Sequence, residues 1–187
     1  MAGRAVSGRC LPVEGSRLLL AQGIALLELL NDGQYAGVPG ESSVGAHYRH
    51  VLDHYQMFLR GLPHGRIDYD ARERDPELER SREAALAVTR RCLLALDALT
   101  REPDRPLLVQ METEPGIMTP DWRGSSAGRE LQFLCSHTVH HFALIRLLLP
   151  EITTGLGAEF GVAVSTLSYG RESGSQGARE SDPSSQP

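Results

Sequence analysis

The sequence predicts an all-α protein, a four-helix bundle with a short β-hairpin between its third and fourth helices. Three observations carry this. Four stretches of roughly 15–24 residues place apolar side chains at helical spacing. Cap and stop residues stand at their ends. The connections between them are brief. At 187 residues the chain amounts to about one domain, long enough to bury a core without disulfide or metal staples.

The first helix runs from about Arg17, capped by Ser16, to Leu30, and "NDG" at 31–33 stops it. "AGVPGESS" (36–43) is a loop that ends on Ser42 or Ser43, either of which can cap the second helix. That helix covers Val44 to Arg60 and stops at Gly61, with Pro63 just beyond. A polar connection follows, "HGRIDYDARERD" (64–75). Asp75-Pro76-Glu77 then offers a cap acceptor, a proline at the first helical position and an acid in the first turn. The third helix continues from there to about Leu99. "PLLVQMETEPGIM" (106–118) predicts two short strands around a Glu-Pro-Gly turn. The fourth helix starts after "GSSAG", capped by Ser125 or Ser126, and stops at Pro150. "GRESGSQGARESDPSSQP" (170–187) is polar and repetitive with nothing to bury, so disorder is expected. The domain plan is therefore an N-terminal segment (1–13), a bundle (14–169) and a tail (170–187).

Composition narrows the function. The net charge is −5 and every basic residue is an arginine, with no lysine at all. Scattered arginines on an acidic chain disfavour a nucleic-acid platform, which needs a basic face. Cys10, Cys92 and Cys135 are far apart and form no C-x-x-C, so neither a disulfide framework nor a cysteine zinc site is indicated. Free thiols fit a reducing, cytoplasmic setting. The apolar run at 17–30 is too short to span a membrane and contains Gln22 and Glu28. The run at 131–150 carries three histidines and an arginine, which suits a bundle helix and not a membrane span.

The histidines give the chemistry. "HYRHVLDH" (47–54) holds three of the chain's seven. At 100° per residue, Val44, Tyr48, Val51, Leu52, Tyr55, Phe58 and Leu59 form the core face of the second helix. His47, His50 and His54 align along its edge, while Arg49 and Arg60 point toward water. In the fourth helix, "HTVHH" (137–141) places His137 and His141 one turn apart on an inward face, among Leu134, Leu144, Ile145 and Leu148. His140 points away, and His64 falls in a loop. Buried imidazoles must be hydrogen-bonded or metal-bound. Two from one helix and a third from the facing helix make an open three-histidine site, the arrangement of catalytic metals. On the helical wheel His47 and His54 lie slightly nearer the core than His50.

These residues resemble the DinB/YfiT-like superfamily of four-helix-bundle metalloproteins. "GAHYRHVLDHYQMFL" matches that family's H-x-x-D element through His50 and Asp53, and "SHTVHHFALI" matches its H-x3-H element through His137 and His141. The resemblance covers residues 14 to 150. It implies an up-down-down-up bundle with His50, His137 and His141 as metal ligands. The implied ion is divalent, often zinc or nickel and in some relatives iron. Relatives include thiol-dependent S-transferases that use low-molecular-weight thiols, so the implied activity is a metal-dependent transferase or hydrolase on a small molecule. His47 and His54, left on the same stripe, become candidates for proton transfer. Glu130 reads as a residue that orients a ligand ring or as an ordinary first-turn acid. The cluster of Asp68, Tyr69, Asp70, Arg72, Glu73 and Arg74 reads as a solvated loop in preference to a substrate frame. A second class stays open: a bundle whose histidines are structural, in a binding or stress-related role. Apolar bundle faces also allow a homodimer.

Overall fold

The computed structural model describes residues 11–114, 121–163 and 165–169. Four long helices form the frame: α1 (Val13–Leu29), α3 (Val44–Gly61), α5 (Arg82–Ala98) and α6 (Ala127–Leu148). Short helices α2 (Asp32–Ala36), α4 (Pro76–Arg80) and α7 (Pro150–Thr153) lie between or after them. A three-stranded sheet, β1 (Arg66–Asp68), β2 (Pro106–Gln110) and β3 (Arg123–Ser126), completes the fold. The expected tail at 170–187 lies outside the described residues.

Helix directions follow from side-chain contacts. Arg17 pairs with Asp97 and Arg90 with Glu28, so α1 and α5 are antiparallel. Ser16 Oγ lies 3.3 Å from Cys135 Sγ, and Leu29 near the end of α1 faces Gly155 beyond α6, so these two run parallel. His47 meets His141 and Tyr55 meets Thr138, which makes α3 and α6 antiparallel. In chain order the bundle is up-down-down-up. α1 and α3 each pack against both α5 and α6, around one core.

That core is aromatic at its centre. Tyr35, Tyr48, Tyr55, Phe58, Phe142 and Phe160 are fully buried, each such side chain contributing roughly 1.5–3 kcal/mol or more by burial. The tyrosine hydroxyls are not wasted. Tyr35 donates to the Leu78 carbonyl, the Tyr48 hydroxyl lies 3.2 Å from Thr89 Oγ1, and Thr138 Oγ1 reaches the Tyr55 hydroxyl at 3.4 Å.

Several boundaries differ from the sequence reading. α1 begins at Val13, and Ser16 is buried inside it against Cys135 in place of capping it. "NDG" stands just past the end of α1, as expected, but Asn31 also opens a new helix: Asn31 and Gln34 form a reciprocal capping box that starts α2. The third predicted helix is two. Ser81 adopts extended backbone and its Oγ accepts the Ala84 amide at 3.1 Å, ending α4 and capping α5. Arg49 does not point to water but is half-buried between Asp53 and Glu79. The second hairpin strand falls at 123–126, and the Pro115-Gly116 turn lies outside the described residues. β1 was concealed in a charged stretch. It pairs parallel with β2, while β3 pairs antiparallel on the other side.

α4 sits against the start of α3 because Gly45 has no side chain: a Cβ there would land on the Glu79 carbonyl. Gly45→Ala is therefore expected to lower unfolding free energy by about 2–3 kcal/mol, measured by urea denaturation. An unchanged midpoint would mean α4 is not seated as described.

Candidate metal centre

α3 and α6 bring five imidazoles together. The capped start of α3, with Ser43 Oγ accepting the Ala46 amide, sets the phase of the His47-His50-His54 stripe. Ser126 does the same for α6, and Thr138 locks that helix to Tyr55 between the two ligand-type histidines. Antiparallel packing then lays the stripes side by side. Ring centroids of His137 lie 4.2 Å from His54, 5.0 Å from His50 and 4.6 Å from His141. His50 is 4.8 Å from His141. His140 and His64 are exposed.

Within this cluster one ring nitrogen from each of His50, His54 and His137 comes within 4.8 Å of the others. His141 stands beside the trio with its Nδ1 turned to His47 Nδ1, 3.0 Å away. One of those two nitrogens must carry the hydrogen and the other accept it. The outer edge of His47 meets Ser42 Oγ at 2.9 Å through Nε2. The sequence-derived residues are thus all in one place, with His54 inside the tightest group and His141 at its flank.

Two observations show that the trio suits a cation. His137 Nδ1 is buried with no hydrogen-bond partner, an arrangement that costs about 1–3 kcal/mol unless something supplies one. His54 Nδ1 lies 2.8 Å from its own-helix His50 carbonyl. A carbonyl can only accept, so Nδ1 carries the hydrogen and Nε2 presents a lone pair, the usual orientation of a metal-binding histidine. Burial keeps the rings neutral. It holds His137 down to about 2, His50 to about 3, and His54 and His141 to about 4. His47 is lowered for the same reason.

The surroundings hold Tyr69 and Arg72, which the sequence assigned to a solvated loop, and Phe133, which it did not single out. Tyr69, buried, stacks on His54 at 5.4 Å and 27°, and Phe133 covers His54 and His137. Arg72 Nη1 donates to His54 Nε2 at 3.1 Å. The segment read as a solvated loop is therefore one wall of the site. Its signal was the alternation of Ile67 and Tyr69 with charged neighbours, a strand pattern hidden by the acids and arginines around it. Glu130 touches no ligand ring. Its buried carboxylate accepts from the Tyr69 hydroxyl at 2.9 Å and from Ser125 Oγ at 2.5 Å, so it fixes the stacking tyrosine instead.

A family model described as the DinB superfamily matches residues 21–145, a span that contains all five clustered histidines. FK506-binding protein 5 from Rhizopus delemar is 28% identical over 104 residues, covering 55% of this chain and 27% of that protein. The chain thus spans about a quarter of the length of that relative. No solved structure matches significantly. Among the described residues no helix is long and apolar enough to cross a membrane.

The lowered histidine values fix the sign of a pH effect. As pH falls below the ordinary value of 6.5, the unfolded chain takes up protons that the folded chain refuses, so stability is lost. Loss continues through about 4, where His54 and His141 protonate in the fold, and beyond it for His50 and His137, whose values lie lower still. Chelator-treated protein should melt at clearly lower temperature at pH 5 than at pH 7.5, followed by circular dichroism. A flat or rising melting temperature over that interval would contradict the buried, neutral cluster.

Proposed function

The chain belongs to the DinB superfamily, and on that premise we propose that it binds one divalent metal ion and acts on a small molecule, as a transferase of the thiol S-transferase type or as a hydrolase. Zinc or nickel is the preferred ion, with iron next, because neutral imidazole suits all three. The observation that carries the reading is the approach of His50, His54 and His137 nitrogens within 4.8 Å. Three ligands leave coordination positions open, the arrangement of catalytic and not structural sites. A divalent ion held there would supply Lewis acidity, bringing a thiol or a water to its deprotonated form near neutral pH.

The remaining residues have assignable parts. His50 and His137 belong both to the family's ligand set and to the trio of close nitrogens, and are assigned as ligands on that agreement. His54 is the third by nitrogen distance and by the orientation its Nδ1 bond imposes; His141, the family position, is the alternative. His47 is then the proton-transfer residue. It shares a hydrogen with His141 on the inside and meets exposed Ser42 on the outside, which connects the cluster to solvent through two hydrogen bonds. Phe133 and Tyr69 cover the ligand rings on the side away from that exit. The core tyrosines and phenylalanines belong to one continuous hydrophobic core that runs through the bundle beside the cluster. That favours catalytic over structural histidines, since removing a structural ion would unfold the chain.

Metal content per chain tests this. Wild-type protein should carry about one equivalent, and His50→Ala and His137→Ala should each carry almost none while keeping the helical circular-dichroism signal. His54→Ala should lose more metal than His141→Ala. Normal occupancy in the His50 or His137 variant, or no uptake by the wild-type chain, would sink the assignment. A large fall in melting temperature on chelation at pH 7.5 would instead favour a structural ion.

A further inference from the structure

Arg72 sits where a structural arginine has little reason to be. Its Nη1 donates to His54 Nε2, and its Nε is buried with no acceptor. None of the ion pairs among the described residues includes it. The two carboxylates that act on it from nearby, Asp53 and Asp70, are engaged elsewhere. Asp53 binds Arg49 at 2.9 Å, and Asp70 Oδ2 accepts the Glu112 amide at 2.7 Å. Arg74 and Arg49 add further positive charge around it.

The segment that carries Arg72 is fastened on both sides of it. Asp68 Oδ1 accepts the Asp70 and Ala71 amides, and the Tyr69 amide donates to the Gln110 carbonyl. Glu73 pairs with Arg60, and Asp75 caps α4. The guanidinium is thereby held over the histidine cluster by backbone geometry, not by an ion pair of its own.

We propose that Arg72 is the substrate-recognition residue of this site, binding the carboxylate of a small molecule whose reacting end lies at the histidine cluster. The inference rests on the metal-site reading above. His54 Nε2 has a single lone pair, so it serves either Arg72 or an ion, never both. Once that nitrogen is a ligand, Arg72 loses the one hydrogen-bond acceptor it has among the described residues, beside a region already rich in positive charge. A carboxylate fits what is then left: a planar fork of donors that it meets through two parallel hydrogen bonds. A neutral substrate would leave the fork unmatched.

Two consequences separate this proposal from the metal reading. First, Arg72 competes for a ligand lone pair, so Arg72→Gln should take up zinc several-fold more tightly than wild type. Second, with both proteins loaded to one equivalent of zinc, succinate should bind the wild type about tenfold more tightly than Arg72→Gln, by calorimetry. Succinamide should bind both equally weakly, and Arg72→Lys should fall between for succinate. Equal succinate affinity in wild type and Arg72→Gln, with zinc occupancy intact, overturns the role of Arg72 and leaves the metal site standing. Failure of the wild-type chain to take up zinc overturns both.

Discussion

Five imidazoles cannot be drawn together out of water unless they are neutral, and the packing of α3 on α6 imposes that condition by desolvation. The two helices run antiparallel, so a stripe at i, i+3, i+7 on one faces an i, i+4 pair on the other. Desolvation removes the charge from every ring, and the rings then meet without repelling. What hydrogen bonds exist are allotted in an ordered way: His54 to its own helix backbone, His47 to His141 and Ser42, and none to His137 Nδ1. That last vacancy in the hydrogen-bond pattern is the strongest local reason to think of a cation.

The rest of the fold maintains this contact. α1 and α5 close the other two sides of the bundle, and the aromatic core packs between the four axes. The sheet serves a different purpose. β2 is its middle strand, so the segment after β1 and the residues that cap α6 are both anchored to it. Tyr69 and Arg72 reach the histidines through the first anchor. Ser125 and Glu130 fix Tyr69 through the second.

Much of this was legible in the sequence because it depends on periodicity. The α3 boundaries, the inward pair His137 and His141, and the histidine stripe all follow from 3.6-residue spacing, and the two serines before α3 mark its start, of which Ser43 is the cap. What could not be read depends on tertiary approach. The break at Ser81 looked like continuous helix because its neighbours are good helix formers; only the seating of α4 against Gly45 requires it. Arg49 looked solvated because an arginine on a wheel gives no sign of partners from another helix. Arg72 and Tyr69 were obscured by acids and arginines that suggest solvent. The innermost trio is the same kind of problem: spacing leaves His47, His50 and His54 open on one stripe, and only packing brings the His50 and His54 nitrogens next to His137 while His141 turns to His47.

The fastening of residues 68–75 at both ends has a consequence for how such a site diversifies. Helices α3 and α6 carry the histidines, and their spacing tolerates little change. The strap between β1 and α4 is secured by its own Asx turn, its bond to β2 and its cap, none of which involves the side chain at position 72. Exchanging that one side chain would therefore leave the strap's own fastenings and the helices beneath it in place. Under the role proposed for Arg72, a change in the small molecule accepted needs only a rewritten strap of a few residues and no change in the bundle or its histidines.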